Sequence, residues 1–199
     1  MNFFVKLSAA AAVATVAFAP LQAGAVTYAL DGAAPSSIGP DALNYQLGWE
    51  FIANQDLSVV EMGFYSEAAR TRTVTLWDIG GAVLGSVDVT ATGAGWFYGT
   101  LSSPIALTAG SSHVASYSYL NGDHVYGLNA PVTAPEVSYV QARWGVNNAF
   151  PTNLQGSFAY PADIGFEAAP SADVPLPAAA PLAVLGMAAL GFAARRRKG

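Results

Sequence analysis

Short apolar stretches with a period of two recur through the middle of this 199-residue chain, and they limit its fold more than any other feature. In Tyr45–Phe51 the large side chains of Tyr45, Leu47, Trp49 and Phe51 alternate with polar or small ones. They are therefore predicted to line one face of a strand. Turn-forming residues separate such stretches about every eight to fifteen positions, and no helical period of useful length appears. This spacing predicts an all-β fold, a single jelly-roll-like β-sandwich.

The remaining strands are predicted on the same grounds. Thr73–Asp78 and Ala82–Val89 flank Gly80–Gly81, which indicates a hairpin because glycine adopts the positive φ that tight turns require. Other strands are predicted at Val60–Phe64 (with Val60, Met62 and Phe64 on one face), Gly95–Leu101, Ser112–Tyr119, Val125–Leu128, Val137–Arg143 and Phe158–Phe166.

The first 25 residues have the three parts of a secretory signal peptide. A weakly basic start at Lys6 is followed by the apolar run Leu7–Ala19, and the small residues Ala23 and Ala25 suit cleavage by signal peptidase. An uncleaved anchor is the alternative, but this run is shorter than the ~20 residues that a span usually needs. We therefore predict a signal peptide at residues 1–25 and an exported domain at residues 26–167.

The last 26 residues form a separate segment. Pro175, Pro177 and Pro181 disfavour helix, so residues 174–178 are predicted to be extended. Residues 178–194 carry no charge, and as a transmembrane helix they would span about 25 Å, the low end for a bilayer core. A buried helix is the alternative, but it does not explain the basic cluster that follows. That cluster is predicted to act as a cytoplasmic anchor and consists of Arg195, Arg196, Arg197 and Lys198.

The combination of a proline-rich strip, a single short span and a terminal arginine cluster resembles the VPLPA variant of the PEP-CTERM sorting signal. The strip consists of Val174, Pro175, Leu176, Pro177 and Ala178. The resemblance covers residues 174–199, and residues 168–173 are predicted to be a linker. It implies processing by an exosortase, an integral membrane cysteine transpeptidase. It also implies an inner-membrane intermediate and then a place in the cell envelope, at the surface or in the extracellular matrix, in association with exopolysaccharide. Leu176 replaces the glutamate of the commoner motif, which leaves the exosortase subtype open.

The central part is similar to a second family, a β-sandwich module of unknown function found in exported bacterial proteins. The similarity covers about residues 43–166. It is carried by Leu47–Phe51, Val60–Tyr65, Val74–Asp78 with the glycines after it, and Leu107–Gly110 leading into Tyr117. This family offers no catalytic residue that can be transferred to the chain, so the resemblance implies a fold and not an activity.

Cysteine and charge content exclude several kinds of protein. The chain has no cysteine, which excludes disulfides, thiolate metal sites and cysteine nucleophiles. All thirteen acidic residues lie between Asp31 and Asp173, where only Arg70, Arg72 and Arg143 are basic, so this part has a net charge of −10. A surface of that sign repels phosphate backbones, and we expect no nucleic-acid partner. No cofactor is expected.

No catalytic or metal-binding residue is predicted. The sequence lacks Gly-x-Ser-x-Gly, and Ser112 and His113 are neighbours on a predicted strand, so their side chains point to opposite faces. Asp123 and His124 follow an Asn-Gly pair and are interpreted as part of a hairpin turn and not as metal ligands.

Acidic residues on strands could supply the carboxylate pair of a glycosidase. Glu50, Glu61 and Asp78 have such positions, but each is interpreted as a solvated residue on an outward face.

Aromatic residues are the one feature that suggests a ligand, because exposed rings can stack on sugars. Trp96 and Trp144 are kept as candidate glycan-stacking residues, whereas Trp49 and Trp77 are interpreted as packing residues. For the tyrosines the sequence favours neither packing nor stacking: Tyr98, Tyr117, Tyr119 and Tyr126.

Three functions remain in order of preference. The first is an exported, non-enzymatic surface or matrix protein that an exosortase-type system sorts. The second is a carbohydrate-binding module acting on extracellular polysaccharide, and the third is a polysaccharide-active enzyme. The expected partners are signal peptidase, the exosortase-like transpeptidase, the membrane before processing, and extracellular polysaccharide.

Overall fold

A computed structural model describes residues 24–30, 33–129, 131–146, 149–156 and 158–168. Residues 1–23 of the predicted signal peptide, residues 169–173 of the predicted linker and the whole sorting segment at residues 174–199 lie outside the described residues. Within the described ranges, no helix is long and apolar enough to cross a bilayer.

The described residues form thirteen β-strands and no helix, which confirms the all-β class. The strands are β1 (Thr27–Tyr28), β2 (Ser36–Pro40), β3 (Tyr45–Ala53), β4 (Leu57–Ser66), β5 (Arg70–Asp78), β6 (Val83–Ala91), β7 (Gly95–Leu107), β8 (Ser112–Tyr119), β9 (His124–Asn129), β10 (Val137–Val146), β11 (Asn153–Gln155), β12 (Phe158–Ala159) and β13 (Ala162–Ala168).

Two larger sheets face each other across the core. One has the strand order β1-β13-β4-β7, and the other has the order β11-β10-β3-β8-β5-β6. From β3 to β8 the chain passes repeatedly between the two sheets, with only β5 and β6 adjacent in one sheet, which is the connectivity expected of a jelly-roll-like sandwich. A small third sheet, in the order β12-β9-β2, lies beside them.

The predicted inner face of β3 is confirmed by its packing. Its members Tyr45, Leu47, Trp49 and Phe51 all belong to the core or pack against it. The indole N–H of Trp49 donates to the carbonyl oxygen of Ala162 in the opposite sheet at 2.7 Å. The rings of Phe64 and Tyr117, one from each sheet, stack at 5.7 Å between centroids. The core is therefore formed by side chains from both sheets.

One face assignment is wrong. Met62 and Phe64 are buried as predicted, but Val59 replaces Val60 in the core. The pairing of β4 with β7 shifts between Val59 and Glu61, and this irregularity reverses the alternation of side chains at that point.

Two strand boundaries also differ from the prediction. β7 continues past Leu101 to Leu107 although it contains Pro104. Since β7 is the last strand of its sheet, a residue without an N–H is tolerated there. The single strand predicted at Phe158–Phe166 is instead two strands, β12 and β13, separated at Tyr160 and Pro161.

Candidate functional site

An aromatic cavity of about 340 Å³ lies where the small sheet meets the start of β3 and the end of β10. Its volume is at the lower end of the ~300–1,000 Å³ typical of ligand pockets. A hydrogen bond joins the small sheet to β10 near this position. The hydroxyl of Tyr139 in β10 donates to the carbonyl oxygen of Phe158 in β12 at 2.7 Å. The apolar and aromatic lining consists of Ile38, Pro40, Tyr45, Leu47, Val125, Trp144, Phe158 and Tyr160.

The register of β3 and β10 places Trp144 in this cavity. Trp144 pairs directly with Leu47, so both side chains point to the same face of the sheet. The Trp144 ring meets the Tyr45 ring edge-on at 5.9 Å between centroids, and Phe158 meets Tyr160 in the same way at 4.9 Å. Aromatic rings from three segments of the chain thus line one concave surface.

Trp144 differs from the other tryptophans in the hydrogen bonding of its indole N–H. Three indole N–H groups donate to protein oxygens at 2.7–2.8 Å: Trp49 to Ala162, Trp77 to Ser116 and Trp96 to Ala33. In the part of the chain that the structure describes, no group accepts from the indole N–H of Trp144, which is only partly buried. A buried or half-buried indole usually finds a partner, so a ligand could supply the acceptor here.

Asp41 and Gln155 are the polar side chains along the cavity. The hydroxyl of Tyr45 donates to Asp41 Oδ2 at 3.3 Å, and that of Tyr160 donates to Gln155 Oε1 at 3.1 Å. Burial raises the pKa of Tyr160 to about 12, so its hydroxyl stays protonated at neutral pH. A carboxylate acceptor and an amide donor therefore flank the rings, an arrangement that can orient a ligand rich in hydroxyl groups.

Trp96, the other candidate from the sequence, does not line the cavity. It lies in β7 of the four-stranded sheet, where its ring stacks on Tyr98 at 6.3 Å and meets Tyr65 edge-on at 6.0 Å. The packing interpretation of Trp49 and Trp77 is confirmed, since both are buried. Three of the undecided tyrosines are also buried and offer no free ring face: Tyr117, Tyr119 and Tyr126.

The prediction that Glu50 is solvated is wrong. Glu50 is only 8% exposed, and its Oε2 accepts from Arg143 at 2.7 and 2.8 Å and from Gln141 at 2.7 Å. Arg143 and Phe150 cover the outer face of the sheet at this point. The guanidinium carbon of Arg143 lies 5.6 Å from the centre of the Phe150 ring. Glu61 and Asp78 are partly exposed, as predicted.

Residues 121–122 form a turn, but the predicted hairpin is wrong, because β8 belongs to the six-stranded sheet and β9 to the small third sheet. Gly122 has a φ of 87°, and the carboxylate of Asp123 is held by Arg70 at 2.7 Å and by Arg72 at 2.6 Å. Among the described residues, no three histidine, aspartate or glutamate side chains come close enough together to hold a metal ion.

Ser111, and not Ser112, is the serine that contacts His113, with Oγ and Nε2 2.7 Å apart. Residues two apart on an extended chain share a face, so the spacing could have indicated this pair. The Ser111 hydroxyl donates to the carbonyl oxygen of Thr108 and therefore accepts from the imidazole. This arrangement stabilises the turn before β8 and does not activate a nucleophile.

Asp163 is a fully buried carboxyl group that ties the N-terminal segment to the four-stranded sheet. Its Oδ1 accepts from the backbone N–H groups of Leu30 at 3.1 Å and Ile164 at 2.8 Å, and its Oδ2 accepts from the hydroxyl of Tyr98 at 2.8 Å. Burial raises the pKa of Asp163 to about 7, against the lowering effect of these hydrogen bonds. All its contacts are internal, so we assign it a structural role.

The raised pKa of Asp163 predicts a pH-dependent stability. Between about pH 4 and pH 7 the unfolded chain loses this proton while the folded chain keeps it, so the free energy of unfolding should fall by up to ~1.4 kcal/mol per pH unit. Asp163→Asn should remove that part of the slope. Urea unfolding of both proteins at pH 4, 5.5, 7 and 8 checks this, and identical slopes for the two would contradict it.

Most cavity residues escaped the sequence reasoning. Trp144 was predicted as a ligand contact and Tyr45 as an inward-facing strand residue, but Asp41, Gln155 and Phe158 come from a loop and two short strands, and no spacing in the sequence connects them. The sequence did place Tyr45 and Phe158 each at the start of a predicted strand.

Comparison with known families gives two matches. Residues 32–167, more than half of the chain, match a domain of unknown function, DUF4082. Residues 173–198 match the PEP-CTERM protein-sorting motif. Comparison with curated proteins gives no match.

Proposed function

Because the chain belongs to the DUF4082 family and carries a PEP-CTERM protein-sorting motif, we propose that it is an exported, non-enzymatic protein of the cell surface or extracellular matrix. The motif implies sorting by an exosortase-type system and export to the cell envelope or surface. The delivered domain then associates with exopolysaccharide. The match at residues 173–198 is the observation that carries this proposal.

The positions of the carboxylates support a non-enzymatic role. Glycoside hydrolysis needs two carboxyl groups on either side of one bond, and in the described part of the chain Asp41 is the only carboxylate that lines the cavity. Glu50 and Asp123 are neutralised by arginines, and Asp163 is enclosed by backbone N–H groups and Tyr98. These three acidic residues thus stabilise the fold, and none of them is free to take part in a reaction.

Mass spectrometry of the protein from cells with and without the exosortase gene tests this proposal. In wild-type cells the mature protein should begin near Val26 and lack Arg195–Lys198, whereas cells without the enzyme should retain those residues. An intact basic end in wild-type cells would overturn the proposal.

A carbohydrate-binding module is the second candidate function. The cavity favours it, because Trp144 presents a partly exposed ring, with an N–H that donates to none of the described residues, beside hydroxyl, amide and carboxylate groups. Titration of tryptophan fluorescence with the exopolysaccharide of the producing cell tests this function. We expect a saturable change in the wild type, and a flat titration would count against the module.

A further inference from the structure

We propose that the Trp144 cavity binds an uncharged glycan and discriminates against anionic polysaccharides. The inference rests on the second candidate function above and specifies its ligand class. Three observations support it: the charges around the cavity, its hydrogen-bonding groups, and its position in the domain.

Charge is the first observation. The described part of the chain contains three arginines, and all are occupied: Arg70 and Arg72 by Asp123, and Arg143 by Glu50. Among the described residues, Asp41 is the only charged side chain that lines the cavity. A uronate or sulfate group in the cavity would therefore lose hydration and meet a like charge with no cation to compensate. An uncharged sugar does not incur that cost.

The hydrogen-bonding groups match those of a neutral sugar. Sugar hydroxyls both donate and accept, and the cavity offers the Asp41 carboxylate as acceptor and the Gln155 amide and Trp144 indole as donors. The apolar surfaces of Trp144, Tyr45 and Phe158 can contact the C–H face of a pyranose ring. A volume of about 340 Å³ suits a chain end or a short segment of glycan.

The cavity also lies at the end of the domain opposite the first and last described strand residues, Thr27 and Ala168. Thr27 pairs with Phe166, and Ala168 pairs with Leu57, which follows the turn after Ala53. Both ends of the domain therefore meet at the Ala53 end of β3, while the cavity lies at its Tyr45 end. The nine residues of β3, with a rise of ~3.3 Å between neighbours, place its two ends about 26 Å apart. A domain held by its C-terminal tail would thus present the cavity outward.

Binding of a defined glycan panel to the mature exported protein tests the inference. The neutral probes are laminarin, cello-oligosaccharides, dextran and galactomannan, and the anionic probes are alginate, polygalacturonate and hyaluronate. We expect at least one neutral probe and no anionic probe to bind by isothermal titration calorimetry. The affinity should be nearly the same at low and high salt, because no ion pair forms.

Variants at Trp144 connect binding to the cavity. Trp144→Ala should weaken binding of the neutral probe by about tenfold or more, and Trp144→Phe, which keeps a ring but loses the N–H, should give an intermediate loss. Trp96→Ala is the matched control, since that tryptophan lies outside the cavity and should leave the affinity within about twofold. Circular dichroism of each variant verifies that it is folded.

The outcomes separate this inference from the proposals on which it rests. Binding of anionic probes alone would overturn the inference and leave a carbohydrate-binding module. Neutral binding that Trp144→Ala does not change would overturn the assignment of the cavity. Absence of binding to every probe would overturn both the inference and the module, while exosortase sorting would stand on its mass-spectrometric test.

Discussion

Deletion of residues 174–199 should leave a domain that folds normally but is no longer retained at the cell surface. The last described strand ends at Ala168, and the buried apolar residues of the described chain lie between Ala29 and Phe166, so the deletion leaves every residue of that core in place. The sorting motif at residues 173–198, in contrast, is almost entirely removed. Thermal unfolding of the purified protein and immunoblotting of surface, periplasmic and medium fractions measure the two effects.

A subtler variant separates the basic end from the rest of the motif. Replacing Arg195–Lys198 with glutamine keeps the apolar length but removes the charges that are predicted to stop transfer. It should also reduce the surface fraction, without changing the midpoint of thermal unfolding. A full surface fraction after deletion, or a large fall in the unfolding midpoint, would contradict the division into a folded domain and a separate sorting segment.

Trp49→Ala should lower the free energy of unfolding by about 3–5 kcal/mol. Trp49 is completely buried, its ring packs against Phe51 at 5.3 Å and Tyr139 at 6.1 Å, and its N–H is bonded to Ala162 in the opposite sheet. The substitution removes these contacts and leaves a cavity between the sheets. Since domains of this size are stable by only ~5–15 kcal/mol, the variant should be close to unfolding at 37 °C.

Urea unfolding followed by circular dichroism measures this loss. Trp49→Phe is the matched control, because it keeps most of the ring and loses the hydrogen bond, and it should cost clearly less. A loss below about 1 kcal/mol for Trp49→Ala would mean that Trp49 does not join the two sheets as the structure indicates.

The strands were predictable where local geometry alone decides them. Alternation along Tyr45–Phe51 indicated its inner face correctly, because successive side chains of any strand point to opposite sides. The same rule gave the wrong face for Val60, because a pairing irregularity with β7 reverses the alternation, and that irregularity depends on the partner strand. The strand predicted to end at Leu101 continues through Pro104 to Leu107, which is possible because β7 is an edge strand, and only the sheet order shows that.

The sequence by itself determined the all-β class and the sorting motif. Both depend only on residues that are close in the sequence. The all-β class follows from a two-residue hydrophobic period, and the sorting motif is a continuous segment. Only the tertiary structure decided that Glu50 is buried with Arg143, 93 positions away, and that Trp144 lines a cavity with Asp41 and Phe158. Such groups meet because strands from distant parts of the chain pair in a particular register. That register decides which residues lie side by side, and therefore whether a charge is buried or a cavity stays open.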